Sequence, residues 1–175
     1  MNTPGAVMVR PATDDILPTI VDWLARPEIA RWLDFGSGQA VTAAALKLGM
    51  ARGGEQLFTF ADEGAETPVG VVGLSQIHRS FRTAMLWYAL GEPQMAGRGL
   101  TTRAVEAVLE IAFGRLELDA INAWTVVENR PSARILEKTG FRLIGRQRRC
   151  HHIDGRAHDR LLFDRLSSQF EDRDD

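Results

Sequence analysis

Gly97 and Gly99 stand one residue apart in PQMAGRGLTT (93–102), which passes directly into the helix-like run RAVEAVLEIAFGRL. Glycine at a helix mouth costs conformational entropy, so a tight turn or a close backbone approach is required there. The chemistry such a spot supports is anion binding. Unpaired N–H groups of a first helical turn point out of the helix end, the dipole adds partial positive charge, and glycine removes the Cβ atoms a phosphate would meet. Arg98, Thr101 and Thr102 add side-chain donors beside the glycines. A second group comprises Glu128, Asn129 and Ser132 in ENRPSARILEKTG, where Asn129 is also a good helix N-cap. His78 closes a strand-like run with an imidazole, the side chain best suited to proton transfer near neutral pH. His151 and His158 flank Asp154-Gly155. A two-residue turn there pairs Ile153 with Arg156 and sets the two histidines opposite each other. No third ligand accompanies them, so no metal is expected, and they read as sheet-surface residues or a polar pair near a substrate.

Three phosphate-binding patterns compete for GRGLTT. A P-loop needs Gly, four residues and then Gly-Lys-Ser/Thr, which is absent. The dinucleotide fingerprint needs a third glycine where Thr102 stands. What remains is Gln94-x-x-Gly97-x-Gly99, and by itself it does not differ from a plain turn.

The elements that must position these residues show in the hydrophobic runs. AVMVR (6–10) reads as a strand ended by Pro11, and Thr13 as an N-cap ahead of DDILPTIVDWLA, with Pro18 either tolerated near the start or marking a break. Pro27 opens the short helix EIARWLDF, GSGQ is a turn, and AVTAAALKLGMARGG is a helix stopped by Gly53 and Gly54. EQLFTFADE (55–63), VGVVGLSQIH (69–78) and TAMLWYAL (83–90) form an antiparallel meander. A helix over Thr101 to Phe113 then leads to AINAWTVVE (120–128), a crossover that sets this strand parallel to 83–90. Pro131 starts a further helix, Gly140 closes it, and a hairpin around Asp154-Gly155 ends the chain. The expectation is one α+β domain over residues 1–168 with a central mixed sheet, and a frayed tail over 169–175.

In this order of elements, the Gln94-x-x-Gly97-x-Gly99 turn and the stretch ENRPSARILEKTGF (128–141) together resemble the GNAT acyltransferases. The likeness covers most of the chain and is densest from about Val69 to Leu166. It leans toward the branch with ribosomal-protein N-terminal and small-amine acetyltransferases. The resemblance implies the GNAT fold, a mostly antiparallel sheet splayed at one parallel strand pair and flanked by helices. It also implies acetyl-CoA as cofactor, with pantetheine between residues 87–91 and 124–128. Backbone groups at Ala89 and Leu90 would pair with its amides. N–H groups from Met95 through Gly97, Arg98, Gly99, Leu100 and Thr101 would hold the pyrophosphate, with Gln94 and Thr102 alongside. Asn129 would bond the cofactor arm while capping its own helix. Trp87, Tyr88 and Trp124 read chiefly as core aromatics.

Two departures from the family pattern bear on chemistry. Ala96 replaces a basic residue common before the first motif glycine, which shifts weight to Arg98 and Arg103. Leu136 stands where many relatives carry a proton-donating tyrosine, so either Ser132, Tyr88 or water assists thiolate departure or it proceeds without a dedicated acid. The implied reaction is direct attack by an amine, for which His78 and Glu128 are the candidate bases and a free N–H near Leu90 the oxyanion donor. Cys150 reads as an incidental thiol. The acceptor site implied lies around Trp23, Trp32, Phe35 and Gln39 with the C-terminal hairpin.

Bulk properties exclude little but exclude it clearly. The 175 residues carry a net charge of −2 with 45% hydrophobic residues. That balance calls for no nucleic-acid or membrane partner, and no run approaches a membrane span. The single cysteine fits a reducing compartment, and the N-terminus lacks a signal core, so a cytoplasmic location is expected. The expected function is acetyl transfer to the primary amine of a small molecule or amino sugar. The alternatives are a protein N-terminus as acceptor, or a non-catalytic acyl-CoA-binding module. A homodimer is a candidate assembly.

Overall fold

The computed structural model describes residues 6–35 and 40–168. The predicted GSGQ turn, Gln39 and the predicted tail lie outside them. In chain order the elements are β1 (Val7–Pro11), α1 (Leu17–Ala25), α2 (Pro27–Ala30), α3 (Ala43–Ala51), β2 (Gln56–Asp62), β3 (Gly70–His78), β4 (Thr83–Leu90), α4 (Leu100–Glu110), β5 (Ala120–Val126), α5 (Arg130–Lys138), β6 (Arg142–Ile153) and β7 (Arg156–Leu166). Pro18 falls in the first turn of α1, where its missing N–H is no loss. Thr42 caps α3 by accepting from the Ala45 N–H at 3.1 Å. The described residues form a seven-stranded sheet in the order β1-β2-β3-β4-β5-β7-β6. One face packs on α4 and α5 through Phe58, Leu74, Leu86, Val105 and Leu136. The other packs on α1 and α3 through Ile20, Trp23, Leu46 and Val71. Among the described residues no helix is long and apolar enough to cross a membrane.

The feature that matters for function is where the sheet opens. The parallel pair β4–β5 is joined only at Thr83–Ala120, Ala84–Ile121 and Met85–Asn122. Beyond Met85 the strands part, because each is held by its other neighbour. β5 stays paired to β7 from Ala120–Leu166 to Val126–Arg160, while β4 stays paired to β3 up to Leu90–Gly70. Helix α1 fixes the end of β4. A Cβ on Gly91 would come within 2.1 Å of the Trp23 ring. Trp23 Nε1 donates to Glu92 at 3.0 Å, and Arg26 donates to the Gly91 carbonyl oxygen. Trp23 is therefore a core residue that positions β4, and not part of an acceptor site as the sequence suggested; it is only 2% exposed.

The C-terminal hairpin has the expected register, with Ile153 opposite Arg156 and His151 opposite His158. Asp154 and Gly155 both take positive φ (49° and 76°), as a two-residue turn matched to strand twist requires.

Glu55 offers a test of the packing beside α3. Its carboxyl fills the space over Gly49, and its Oε2 is buried with no hydrogen-bond partner among the described residues. Burial raises its pKa above the usual carboxylate value. A raised folded-state pKa favours the neutral form, so this group's contribution to stability is full below the unfolded pKa and is lost as pH rises through the folded one. Glu55→Gln is therefore expected to raise Tm modestly at pH 8. The gain should vanish near pH 4, and thermal unfolding at the two pH values checks it. An equal shift at both would mean the charge is not the cause.

Candidate functional site

The opening between β4 and β5 is the mouth of a cavity of about 550 Å³. Its walls are residues 85–90 of β4 and 123–125 of β5, its one end the 95–102 turn, and its flanks α5 and the segment 28–35. Backbone alternation shows which β4 groups face it. The Gly91 N–H bonds the Val69 carbonyl at 2.8 Å, so the pair Val71–Ala89 is likewise hydrogen-bonded across β3–β4. Leu86, Tyr88 and Leu90 then turn their N–H and C=O toward β5; the Met85–Asn122 pairing takes the Leu86 N–H, and the Tyr88 and Leu90 groups face the opening. Leu90 has the expected orientation. Ala89 lines the cavity but directs its backbone groups to β3, which corrects the expectation that it pairs with a cofactor.

The glycine turn leaves a row of N–H groups free, starting later than the sequence suggested. Gly97 and Gly99 have φ of 77° and 71°, and Gly99 is the N-cap of α4 with no side-chain cap bond. Met95 and Ala96 spend their N–H groups on Glu92 and Pro93 carbonyls at 3.0 Å. Among the described residues, the N–H groups of Gly97, Arg98, Gly99, Leu100, Thr101 and Thr102 meet no protein acceptor. The row therefore begins at Gly97, two residues later than the Met95 expected from sequence. Arg98 points its guanidinium away, to Asp62 at 3.0 Å and the Met95 sulfur. Gln94 is exposed and donates to Glu92 at 3.1 Å. Neither side chain reaches the cavity, so the cradle is backbone. Arg134 and Lys138 of α5 do line it. They fall on the 130, 134, 138 stripe of one helix face, a spacing of four that the sequence carries.

Asn129 lines the cavity and also caps α5, accepting from the Ser132 N–H at 3.4 Å. Ser132 Oγ lies 2.8 Å from the Tyr88 hydroxyl, which also donates to the Ser132 carbonyl oxygen at 3.0 Å. Burial pushes the Tyr88 phenol pKa well above its ordinary value, and the Ser132 bond offsets this only partly. Leu136 is 1% exposed in the core and presents nothing to the site.

The proposed bases fare differently. His78 is exposed at the far end of β3, stacked on Phe81 with ring centroids 4.4 Å apart, and its Nδ1 accepts from the Phe81 N–H. It lies off the cavity. Glu128 is exposed just past β5, with Oε1 2.9 Å from His158 Nδ1, a bond that holds its carboxyl below the usual range. It too lies outside the cavity lining. Although His151 and His158 are opposite in register, each is engaged elsewhere, and no group of metal ligands occurs among the described residues.

The far end of the cavity is aromatic. Trp32, Phe35, Trp87 and Trp124 line it, with Phe35 edge-on to Trp87 at 5.0 Å. Glu28 and Asp34 add carboxylates to the lining, and Ser75 and Gln76 line it as well. Gln76 holds a φ of 50° at a bulge where β3 slips register against β4. A bulge of this kind leaves no trace in the alternation of VGVVGLSQIH.

The site thus combines a mixed sheet opened at its parallel pair, a glycine turn with free N–H groups, and a cluster of aromatic side chains along one cavity. The chain belongs to the GNAT acetyltransferase domain family, whose model matches residues 6–142. It is 37% identical over 100 residues to "Probable N-acetyltransferase YjcK" of Bacillus subtilis (strain 168), covering 57% of this chain and 53% of that protein. It is 28% identical over 102 residues to "Uncharacterized N-acetyltransferase p20" of Bacillus licheniformis, covering 58% of this chain and 57% of that one. The matched stretch thus spans about half the length of these curated relatives. A spermidine N-acetyltransferase from Vibrio cholerae, solved with CoA and spermine, shares the fold with a TM-score of 0.83. It is 21% identical, over 94% of this chain and 98% of that one.

Proposed function

We propose that the chain is an acetyl-CoA-dependent N-acetyltransferase acting on a primary amine of a small molecule. The observation that carries this is the single cavity joining the row of unpaired N–H groups at 97–102 to the unpaired β4 edge at Tyr88 and Leu90. A diphosphate at the helix mouth and amides along the strand edge would satisfy both sets, so the residues present fit the cofactor. Asn129 borders its arm, and Arg134 and Lys138 border its phosphate end. Bound acetyl-CoA supplies a thioester that a neutral amine attacks directly, so no enzyme nucleophile is needed. The Tyr88 or Leu90 N–H, both facing the opening, would serve the oxyanion. The Tyr88 hydroxyl, once turned from the Ser132 carbonyl oxygen that accepts its proton here, or the Ser132 hydroxyl would donate a hydrogen bond to the departing sulfur. Glu28 lines the cavity and, unlike Asp34, has no ion-pair partner among the described residues. It is assigned to take up the amine proton.

The acceptor chamber favours an amine on an apolar or polycationic body over an amino sugar. Aromatic faces attract ammonium groups and cover methylenes, but they leave sugar hydroxyls unpaired. The neighbour solved with CoA and spermine supports the same ligand classes. Release of free CoA with a panel of amines is the test. Aliphatic diamines and arylalkylamines are expected to exceed amino sugars in kcat/KM by at least about tenfold, since one unpaired polar group costs ~1–3 kcal/mol. His78→Ala should leave these rates unchanged. Turnover confined to amino sugars would refute the acceptor assignment, and turnover confined to N-terminal peptides would make the acceptor a protein.

A further inference from the structure

The acceptor chamber has one wall that is not part of the sheet. Segment 31–35, which follows α2 and carries Trp32 and Phe35, is held over the sheet from outside by the β6–β7 hairpin. Arg160 of β7 makes most of that attachment. Its guanidinium stacks on Trp124 at 3.8 Å, donates to Asp34 Oδ2 at 2.7 Å and reaches His151 Nδ1 at 2.9 Å. His151 then bridges back to the same segment through Nε2, 2.7 Å from the Arg31 carbonyl oxygen. A guanidinium only donates and a carbonyl only accepts. The His151 ring must therefore be neutral, with its proton on Nε2 and its Nδ1 lone pair facing Arg160. Both are well covered: the Arg160 side chain is 13% exposed and His151 6%. Farther out, Arg31 pairs with Asp154 at the hairpin tip at 3.4 Å.

We propose that Arg160 is a positioning residue, which with His151 clamps segment 31–35 to the hairpin and so sets the width of the acceptor chamber between Trp32, Phe35 and Trp124. This rests on the assignment of that chamber to the acceptor amine. The clamp touches neither the glycine cradle nor the open β4 edge, so its loss should separate acceptor binding from cofactor binding. The planar fork is what allows stacking, pairing with Asp34 and donation to His151 at once, and lysine lacks it.

The test combines kinetics with amide hydrogen exchange on Arg160→Ala, Arg160→Lys and Asp34→Asn, the last being a loop change that leaves the β7 fold intact. Arg160→Ala is expected to raise the acceptor KM about 10- to 100-fold, with kcat and the Kd for CoA within about twofold of wild type. Arg160→Lys should rescue little of that loss, and Asp34→Asn should give a smaller rise. The Trp32 and Leu33 amides, bonded to Ile29 and Ala30, should exchange faster in all three. Unchanged exchange in Arg160→Ala would overturn the clamp itself. Faster exchange with an unchanged acceptor KM would keep the clamp, overturn its role in acceptor binding and show that the amine binds elsewhere. Loss of kcat alone in His151→Ala would place His151 in the chemistry and overturn its role as a bridge.

Discussion

Gly97→Asp is expected to weaken CoA binding about 100-fold, or about 2.8 kcal/mol, while leaving the fold intact. Three facts separate the two effects. The φ of 77° at Gly97 lies in the left-handed region, which aspartate and asparagine enter more readily than other side chains. No heavy atom lies within 4 Å of the Cβ position, so nothing must move to admit the side chain. The carboxylate would then satisfy the N–H groups that now have no protein acceptor, as an N-cap does, and would repel a diphosphate. Gly97→Asn has nearly the same shape without the charge and should lose less than about tenfold. The gap between the two variants should narrow with salt, because the term is electrostatic at an exposed site. Calorimetric titration with CoA at two ionic strengths measures all of this. Equal losses for Asp and Asn would mean that the glycine serves the turn and not the ligand.

The second large effect is expected at the Tyr88–Ser132 pair. Burial raises the Tyr88 phenol above its ordinary range, which makes it a weaker acid than a thiol and a poor source of a full proton. What it can do is donate a hydrogen bond, directly or through Ser132 Oγ at 2.8 Å. Ser132→Ala and Tyr88→Phe are each expected to lower kcat about 10- to 100-fold with little change in acetyl-CoA binding. The double variant should fall barely further, because the two hydroxyls act as one unit. The kcat profile of the wild type should show no loss from Tyr88 ionisation up to about pH 10. Additive losses in the double variant would mean two independent roles.

Much of this was legible in the sequence, for reasons that differ by element. The parallel strand pair followed from a helix between TAMLWYAL and AINAWTVVE, and the hairpin register followed from Asp154-Gly155, since both rest on local rules of connection and turn geometry. Asn129 was legible as cap and cavity residue because both roles need the same position. What escaped was tertiary. Trp23 looked like a pocket aromatic, but its partner is Gly91, 68 positions away in sequence, where the missing side chain makes room for the ring. Arg98 looked like a phosphate contact by proximity, but Asp62 of β2 takes its charge. His78 sits opposite Thr83 at the closed end, where β4 is still paired to β5, and strand order alone cannot say at which residue the pairing stops. Gln76 and the Arg160 clamp depend on a bulge and on long-range pairing, neither of which periodicity encodes.

Free CoA thiol released from acetyl-CoA, with and without an amine, tests the central claim most directly. The enzyme reading predicts release that depends on the amine, matches the acetylated amine mole for mole, and falls with CoA affinity in Gly97→Asp. Tight CoA binding with no amine-dependent release on any small amine or N-terminal peptide would contradict it, leaving a domain that binds acyl-CoA without transferring the acyl group.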